Sequence, residues 1–352
     1  MTGPIRRSLA PAALTAAALL GAFAASAGGL AAASPYSQRL IAFEKGGSRG
    51  PASVWVARLD GSHARRHGTG GQPLVSPDGT IVAADDFADP DQLILYSAFG
   101  GVRERVKLGS YATSLAFSPD SRYLLVALAG NGVKGTGGGL MVLDTSTGKR
   151  TVIVSGTIYG ASFAPGSSDR IVYAKAASQA IRAPVNLEEI AVDGRQAARI
   201  TSDGHSLWPV WGAKGIVFDR ERYRGEQAAP AYQLWLMHDG HARQLTHQKV
   251  PALLDGLVPL QFSADGNRLV AEYEGEDTSW AYAVQLDPLK VRQVVIAGNG
   301  VQGHAISANG RSLLVDSGEL FNPPNRGEVQ TVPFGGGKAR KLVAGAQPSW
   351  NG

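Results

Sequence analysis

Val75-Ser76-Pro77-Asp78-Gly79-Thr80-Ile81-Val82-Ala83 is the stretch that decides the architecture. An apolar anchor leads into Ser-Pro-Asp-Gly, a polar residue follows, and a β-branched run begins. Proline presets φ at the second turn position, aspartate tolerates the tight bend, and glycine supplies the positive φ that a hairpin exit needs. The phrase therefore reads as a tight turn joining two antiparallel strands. It returns as Phe117-Ser118-Pro119-Asp120-Ser121 before Tyr123-Leu124-Leu125-Val126, and as Phe163-Ala164-Pro165-Gly166 before Arg170-Ile171-Val172-Tyr173. A degraded copy starts at Trp211, clearer ones at Phe262-Ser263-Ala264-Asp265-Gly266 and Ile306-Ser307-Ala308-Asn309-Gly310, and Ser349-Trp350-Asn351-Gly352 is a truncated seventh. The anchors at 75, 117, 163, 211, 262, 306 and 350 are separated by 42, 46, 48, 51, 44 and 44 residues.

That spacing matches one four-stranded blade of a radial array, for which about 40 to 50 residues is usual. Each copy continues accordingly. A third apolar strand ends in another turn, as in Val54-Trp55-Val56-Ala57-Arg58-Leu59-Asp60-Gly61, Leu140 to Gly148, Glu189 to Gly194, Leu234 to Gly240 and Ala281 to Asp287. A fourth, polar strand such as Ala242-Arg243-Gln244-Leu245-Thr246 closes the unit, its charge suiting an outer edge that must resist foreign pairing. No segment after residue 34 holds a 3.6-residue apolar period for more than a turn or two, so almost no helix is expected.

The Ser-Pro-Asp-Gly hairpins and the Val/Leu-Asp-Gly turns resemble the TolB-type, WD-like β-propeller repeat, over essentially all of residues 35 to 352. The resemblance implies an all-β ring of four-stranded antiparallel blades. Typical TolB resembles a six-bladed propeller with a separate N-terminal α/β domain, whereas this chain carries seven anchors and no room for such a domain before residue 39. Arg39-Leu40-Ile41-Ala42-Phe43-Glu44 begins like a second strand and Pro348 to Gly352 ends like a first. Joined, they make one blade from both termini and seal the ring. Seven blades follow, at about 46 residues each; six would require the degraded Trp211 copy to be an insertion.

The chain begins with an address. Residues 1 to 33 open on Arg6-Arg7, run through an apolar stretch from Leu9 to Ala25, and contain no acid, the layout of a secretory signal peptide. Ala25-Ser26-Ala27 and Ala31-Ala32-Ala33 compete as cleavage sites, and the paired arginines leave Sec and twin-arginine export both open. The stretch is Ala-rich and shorter than the ~20 apolar residues a bilayer span needs, so no stable membrane span is expected after cleavage. The expected domains are thus a signal peptide over 1–33 and a single propeller over 34–352. Losing Arg6 and Arg7 lowers the formal charge from +5 to +3, too little for an electrostatic nucleic-acid binder. Hydrophobic residues at 44% and charged residues at 18% exclude a disordered chain. The absence of cysteine excludes disulfide frameworks, thiolate nucleophiles and Cys-ligated metals.

Loop length then separates the two ends of the ring. First-to-second and third-to-fourth connections share one face and are short. Second-to-third and fourth-to-first connections share the other, with long excursions at 45–52, 129–139, 176–186, 220–231, 246–257 and 317–327. Long loops on a rigid scaffold are where binding residues gather. The candidate binding residues are Arg220, Arg222, Tyr223 and Arg224 in one excursion, with Arg49, Arg182, Phe321 and Arg326 on its neighbours; the alternative is a solvated charged loop whose arginines and glutamates pair with one another. Asp85 to Asp91 lacks the spacing of a Ca²⁺ loop and reads as an acidic hairpin. No His-Glu-x-x-His or Gly-x-Ser-x-Gly phrase is present, and Gly132 to Gly139 leads into a strand instead of a helix. The tryptophans read as blade packing. No cofactor, metal or catalytic residue is indicated. The expectation is an exported, non-catalytic binding or scaffold protein of the envelope or exterior with a protein or glycan partner. The alternative is a lactonase- or lyase-like propeller enzyme with a site at the channel mouth, disfavoured because the first strands are poor in acids and histidines apart from His304.

Overall fold

A computed structural model describes residues 39–46, 51–129, 138–180, 183–222, 231–248, 254–275, 279–296, 300–317 and 327–351, without the side chains of 221–222, 231–232, 254–255 and 274–275. Residues 1–33, which the sequence reads as a signal peptide, lie outside them. Every regular element among the described residues is a β-strand. Twenty-eight strands fall into seven consecutive antiparallel quartets. Sheet 1 takes its first strand from the end of the chain, Ala346–Trp350, and continues with Leu40–Lys45, Ser53–Arg58 and Arg65–Thr69. Sheets 2 to 7 begin at Gly71–Val75, Ala112–Phe117, Ile158–Phe163, Ser206–Gly212, Leu254–Phe262 and Val301–Ile306. The Trp211 copy thus heads a sheet of its own. Sheets 5, 6 and 7 are joined further by single parallel bridges, Tyr232 to Gly256 and Trp280 to Val301.

Strand alternation builds the core. Each second strand is buried on both faces, which is why it reads as a continuous apolar run and not as an alternating one. In Ile81–Asp85, Ile81 and Ala83 pack toward sheet 3 while Val82 and Ala84 pack toward sheet 1. Repeated around the molecule, this yields seven apolar clusters, one per junction between neighbouring sheets. The first strands touch in cyclic order, sheet 1 to 2 and onward to 7, then 7 back to 1. The closing junction buries Ile41, Phe43 and Trp350 against Ala305, Leu314 and Val329. There Ile41 pairs with Trp350 and Ala42 with Ser349, and the Leu40 N–H donates to Asn351 Oδ1 at 2.8 Å.

The recurring turn has a specific chemistry. Ser118 Oγ donates to Asp120 Oδ1 at 2.5 Å and accepts the Tyr123 N–H at 2.9 Å, so one hydroxyl ties the turn to the start of the second strand. Ser76, Ser263 and Ser307 repeat the arrangement with Asp78, Asp265 and Asn309. Glycine takes the left-handed position at Gly79, as expected, and Ser121 takes it in sheet 3.

Candidate functional site

The structure corrects the excursion proposed at 220–231. The second strand of sheet 5 continues through Gly215–Arg222, with Arg220 opposite Gln233 and Arg222 opposite Ala231, so both arginines belong to a strand and not to a loop. Arg220 is packed as a pillar. Its guanidinium lies 4.2 Å above the Trp235 ring and donates from Nη2 to Asp203 Oδ2 at 2.7 Å, leaving the side chain 20% exposed. Asp203 also accepts Ser206 Oγ, so the pair is integrated into the framework. Arg49, Arg182, Tyr223, Arg224, Phe321 and Arg326 lie outside the described residues. The Asp85–Asp91 stretch behaves as an acidic hairpin, with Asp86 accepting from Arg105 Nη1, Gln92 Nε2 and the Ala88 N–H.

The polar chemistry of the loop-bearing mouth comes from the second strands, a source that inspection of the first strands alone overlooks. Every first strand bulges within its ladder to the second. Gln72, Trp208 and Gln347, each followed by proline, adopt left-handed φ near +48° at this place. Beside the bulge, five second strands carry an acid: Glu44, Asp85 and Asp219 at the register pair that borders it, and Glu272 and Asp316 one pair further from it. At three of the bulges the acid of the preceding sheet accepts a backbone N–H. Glu44 Oε2 takes the Gln72 N–H at 3.0 Å, and Asp316 Oδ2 takes that of Gln347 at 2.7 Å. Asp85 Oδ1 takes both the N–H and the hydroxyl of Ser114, at 3.1 and 3.0 Å. The second strands of sheets 3 and 4 carry no acid.

Burial governs the electrostatics of this tier. Desolvation pushes the Asp85 carboxyl up to about 6, with the two Ser114 donors pulling it partly back. Glu44 is raised chiefly by burial; the Gln72 N–H counters it, Asp316 adds to it and His304 relieves it. His304 Nε2 stands 3.1 Å from Asp316 Oδ2. Glu44, His304 and Asp316 therefore form one acid–base neighbourhood at the junction of sheets 7 and 1, with Gln302 and Gln347 beside it. Among the described residues, no three histidines, aspartates or glutamates have a metal-binding arrangement.

No family model matches the sequence, and no curated protein matches it. The structure is similar to the β-propeller domain of the Trilobed protease from Pyrococcus furiosus, at 11% identity over 86% of this chain and 93% of that one, with a TM-score of 0.60. The fold is a β-propeller. Other similar structures are a prolyl endopeptidase, at 12% identity and TM-score 0.59 over 87% of this chain and 50% of that one, and a puromycin-hydrolyzing peptidase from Mycobacterium tuberculosis, at 14% identity and TM-score 0.57 over 88% and 54%. This propeller spans about half the length of those two peptidases. The Pyrococcus domain is described as having an open velcro topology, whereas here the terminal strands pair with each other.

Proposed function

We propose that the protein is an exported propeller of the TolB-type repeat family that acts as a binding or scaffold module, offering its long-loop face to a protein or glycan partner. The observation that carries this reading is how the mouth spends its acids. Glu44, Asp85 and Asp316 each accept a backbone N–H from the next sheet. A carboxylate whose lone pairs hold the scaffold together is poorly placed to shuttle protons. A second reading is favoured by one contact. His304 against Asp316, with Glu44 adjacent, is a paired base and orienting acid of the kind that hydrolytic sites use, and it supports the enzyme alternative.

One comparison separates the two. The mature protein, its Arg222→Ala/Tyr223→Ala/Arg224→Ala variant and its His304→Ala variant are immobilised and exposed to envelope extract and a glycan array, and are assayed in parallel against chromogenic ester, peptide and uronide substrates. The binding reading expects capture that the triple variant loses at unchanged melting temperature, with no turnover. Turnover by the wild type that His304→Ala abolishes would replace it with the enzyme reading, and capture retained by the triple variant would remove that segment as the contact.

A further inference from the structure

The short-turn face carries a second feature, at the junction of sheets 6 and 7. A cleft of about 410 Å³ opens there between the second and fourth strands of sheet 6, Arg268–Gly275 and Leu289–Gln293, and the Ser307–Arg311 turn and Phe334 of sheet 7. Its charged lining is Arg268, Lys290, Arg292 and Arg311, with no carboxylate among the lining residues.

Two of these guanidiniums are held by neutral groups. Arg292 donates from Nη2 to the Phe334 carbonyl at 2.6 Å and from Nη1 to the Gln293 carbonyl at 3.2 Å. Burial lowers its pKa, as expected for a cation drawn from water without a counter-charge. Arg268 donates from Nη1 to the Gly310 carbonyl at 2.9 Å and lies 5.0 Å from the centre of the Phe334 ring. Neither they nor Lys290 and Arg311 make an ion pair among the described residues. Asp265 feels the field of Arg268, but its Oδ1 is engaged by Ser263 and the Asn267 N–H. Arg105, Arg122, Arg170 and Arg195 elsewhere on this molecule are each paired with an acid. Carbonyl anchoring fixes a guanidinium in place without an ion pair and leaves part of its donor fork unspent, the preparation an oxyanion site requires.

We propose that this cleft binds an organic ligand carrying more than one phosphate or sulfate group, with Arg268 and Arg292 taking one group and Lys290 and Arg311 the next. A single oxyanion would leave most of the volume empty, since 410 Å³ falls in the range of organic-ligand pockets. The site is on the face opposite the long loops and is independent of the function proposed above.

The test uses the mature chain and isothermal titration at about physiological ionic strength, where non-specific attraction is screened. The probes are inositol hexakisphosphate and sucrose octasulfate, with sodium sulfate as the single-anion control. One-to-one binding is expected, tighter for the polyanions than for sulfate, and weakened roughly tenfold or more by Lys290→Gln/Arg311→Gln, the loss of charge-assisted hydrogen bonds worth about 1.5 to 3 kcal/mol. Arg292→Gln should weaken it similarly. Because that residue is half inside the framework, the two rim substitutions carry the test if it fails to fold. Arg39→Gln/Arg340→Gln, in the neighbouring junction of sheets 7 and 1, should leave affinity unchanged. Flotation with phosphatidylcholine vesicles containing phosphatidylinositol bisphosphate distinguishes the source. Co-flotation lost in the rim variant assigns the anion to a lipid headgroup, and soluble-probe binding alone assigns it to a solute. Absence of binding, or equal losses in both variant pairs, would overturn the proposal.

Discussion

Asp85→Asn isolates the cost of the acid tier. Asp85 is 5% exposed, its pKa is raised from 3.8 to about 6, and the N–H and hydroxyl of Ser114 in the next sheet both donate to it. A carboxyl whose folded pKa is raised stabilises the fold, relative to its ionised state, fully below its unfolded value, and loses that advantage as pH climbs through the folded value. The full difference is about 3 kcal/mol at 1.36 kcal/mol per unit. Between about pH 4.5 and about pH 7.5, the part released is about 2 kcal/mol. Asparagine keeps an oxygen for the Ser114 N–H and cannot ionise. Urea unfolding of wild type and Asp85→Asn at the two pH values should therefore show the variant gaining about 2 kcal/mol on the wild type as pH rises, other titrating groups cancelling in the difference. A stability gap that is the same at both pH values would refute the assignment of Asp85 as a buried, ionising latch.

Two further substitutions probe the repeat itself. Ser118→Ala removes the buried hydroxyl that accepts the Tyr123 N–H, and should cost about 1 to 3 kcal/mol by chemical denaturation; a loss below about 0.5 kcal/mol would mean the turn is held by its backbone alone. Gly61→Ala places a Cβ 2.3 Å from the Leu342 carbonyl oxygen across the closing junction at φ +85°, so the melting temperature should fall by several degrees, and an unchanged value would show that sheets 1 and 7 do not meet there.

The fold was legible because its punctuation is local. Ser118, Asp120 and Tyr123 settle their hydrogen bonds within six residues, and the same solution recurs often enough to be counted. The apolar second strands were equally readable, since burial on both faces leaves an unbroken run. The mouth was harder because each latch joins an acid to a bulge one sheet away. Glu44 reaches Gln72, Asp85 reaches Ser114 and Asp316 reaches Gln347, separations of 28, 29 and 31 residues that exceed any window for local pattern. A signal was nevertheless present. Gln72, Ser114 and Gln347 each stand three residues before an apolar anchor, and two of them precede proline. Arg220 was misread for a related reason. A charged run looks like a loop, yet Trp235 supplies a surface on which a guanidinium can lie inside a strand.

Strands from opposite ends of the chain seal the ring, and the absence of cysteine makes that seam directly measurable. Ala42 and Ser349 are register partners across the seam, so Ala42→Cys/Ser349→Cys introduces the only two thiols in the molecule at neighbouring backbone positions. Mild oxidation of the folded, monomeric protein should give a single intramolecular disulfide, seen as an intact, faster-migrating species on non-reducing electrophoresis and by mass spectrometry as a peptide linking the two ends. Thiols that stay free in folded protein, or that join only between molecules, would contradict the closed ring.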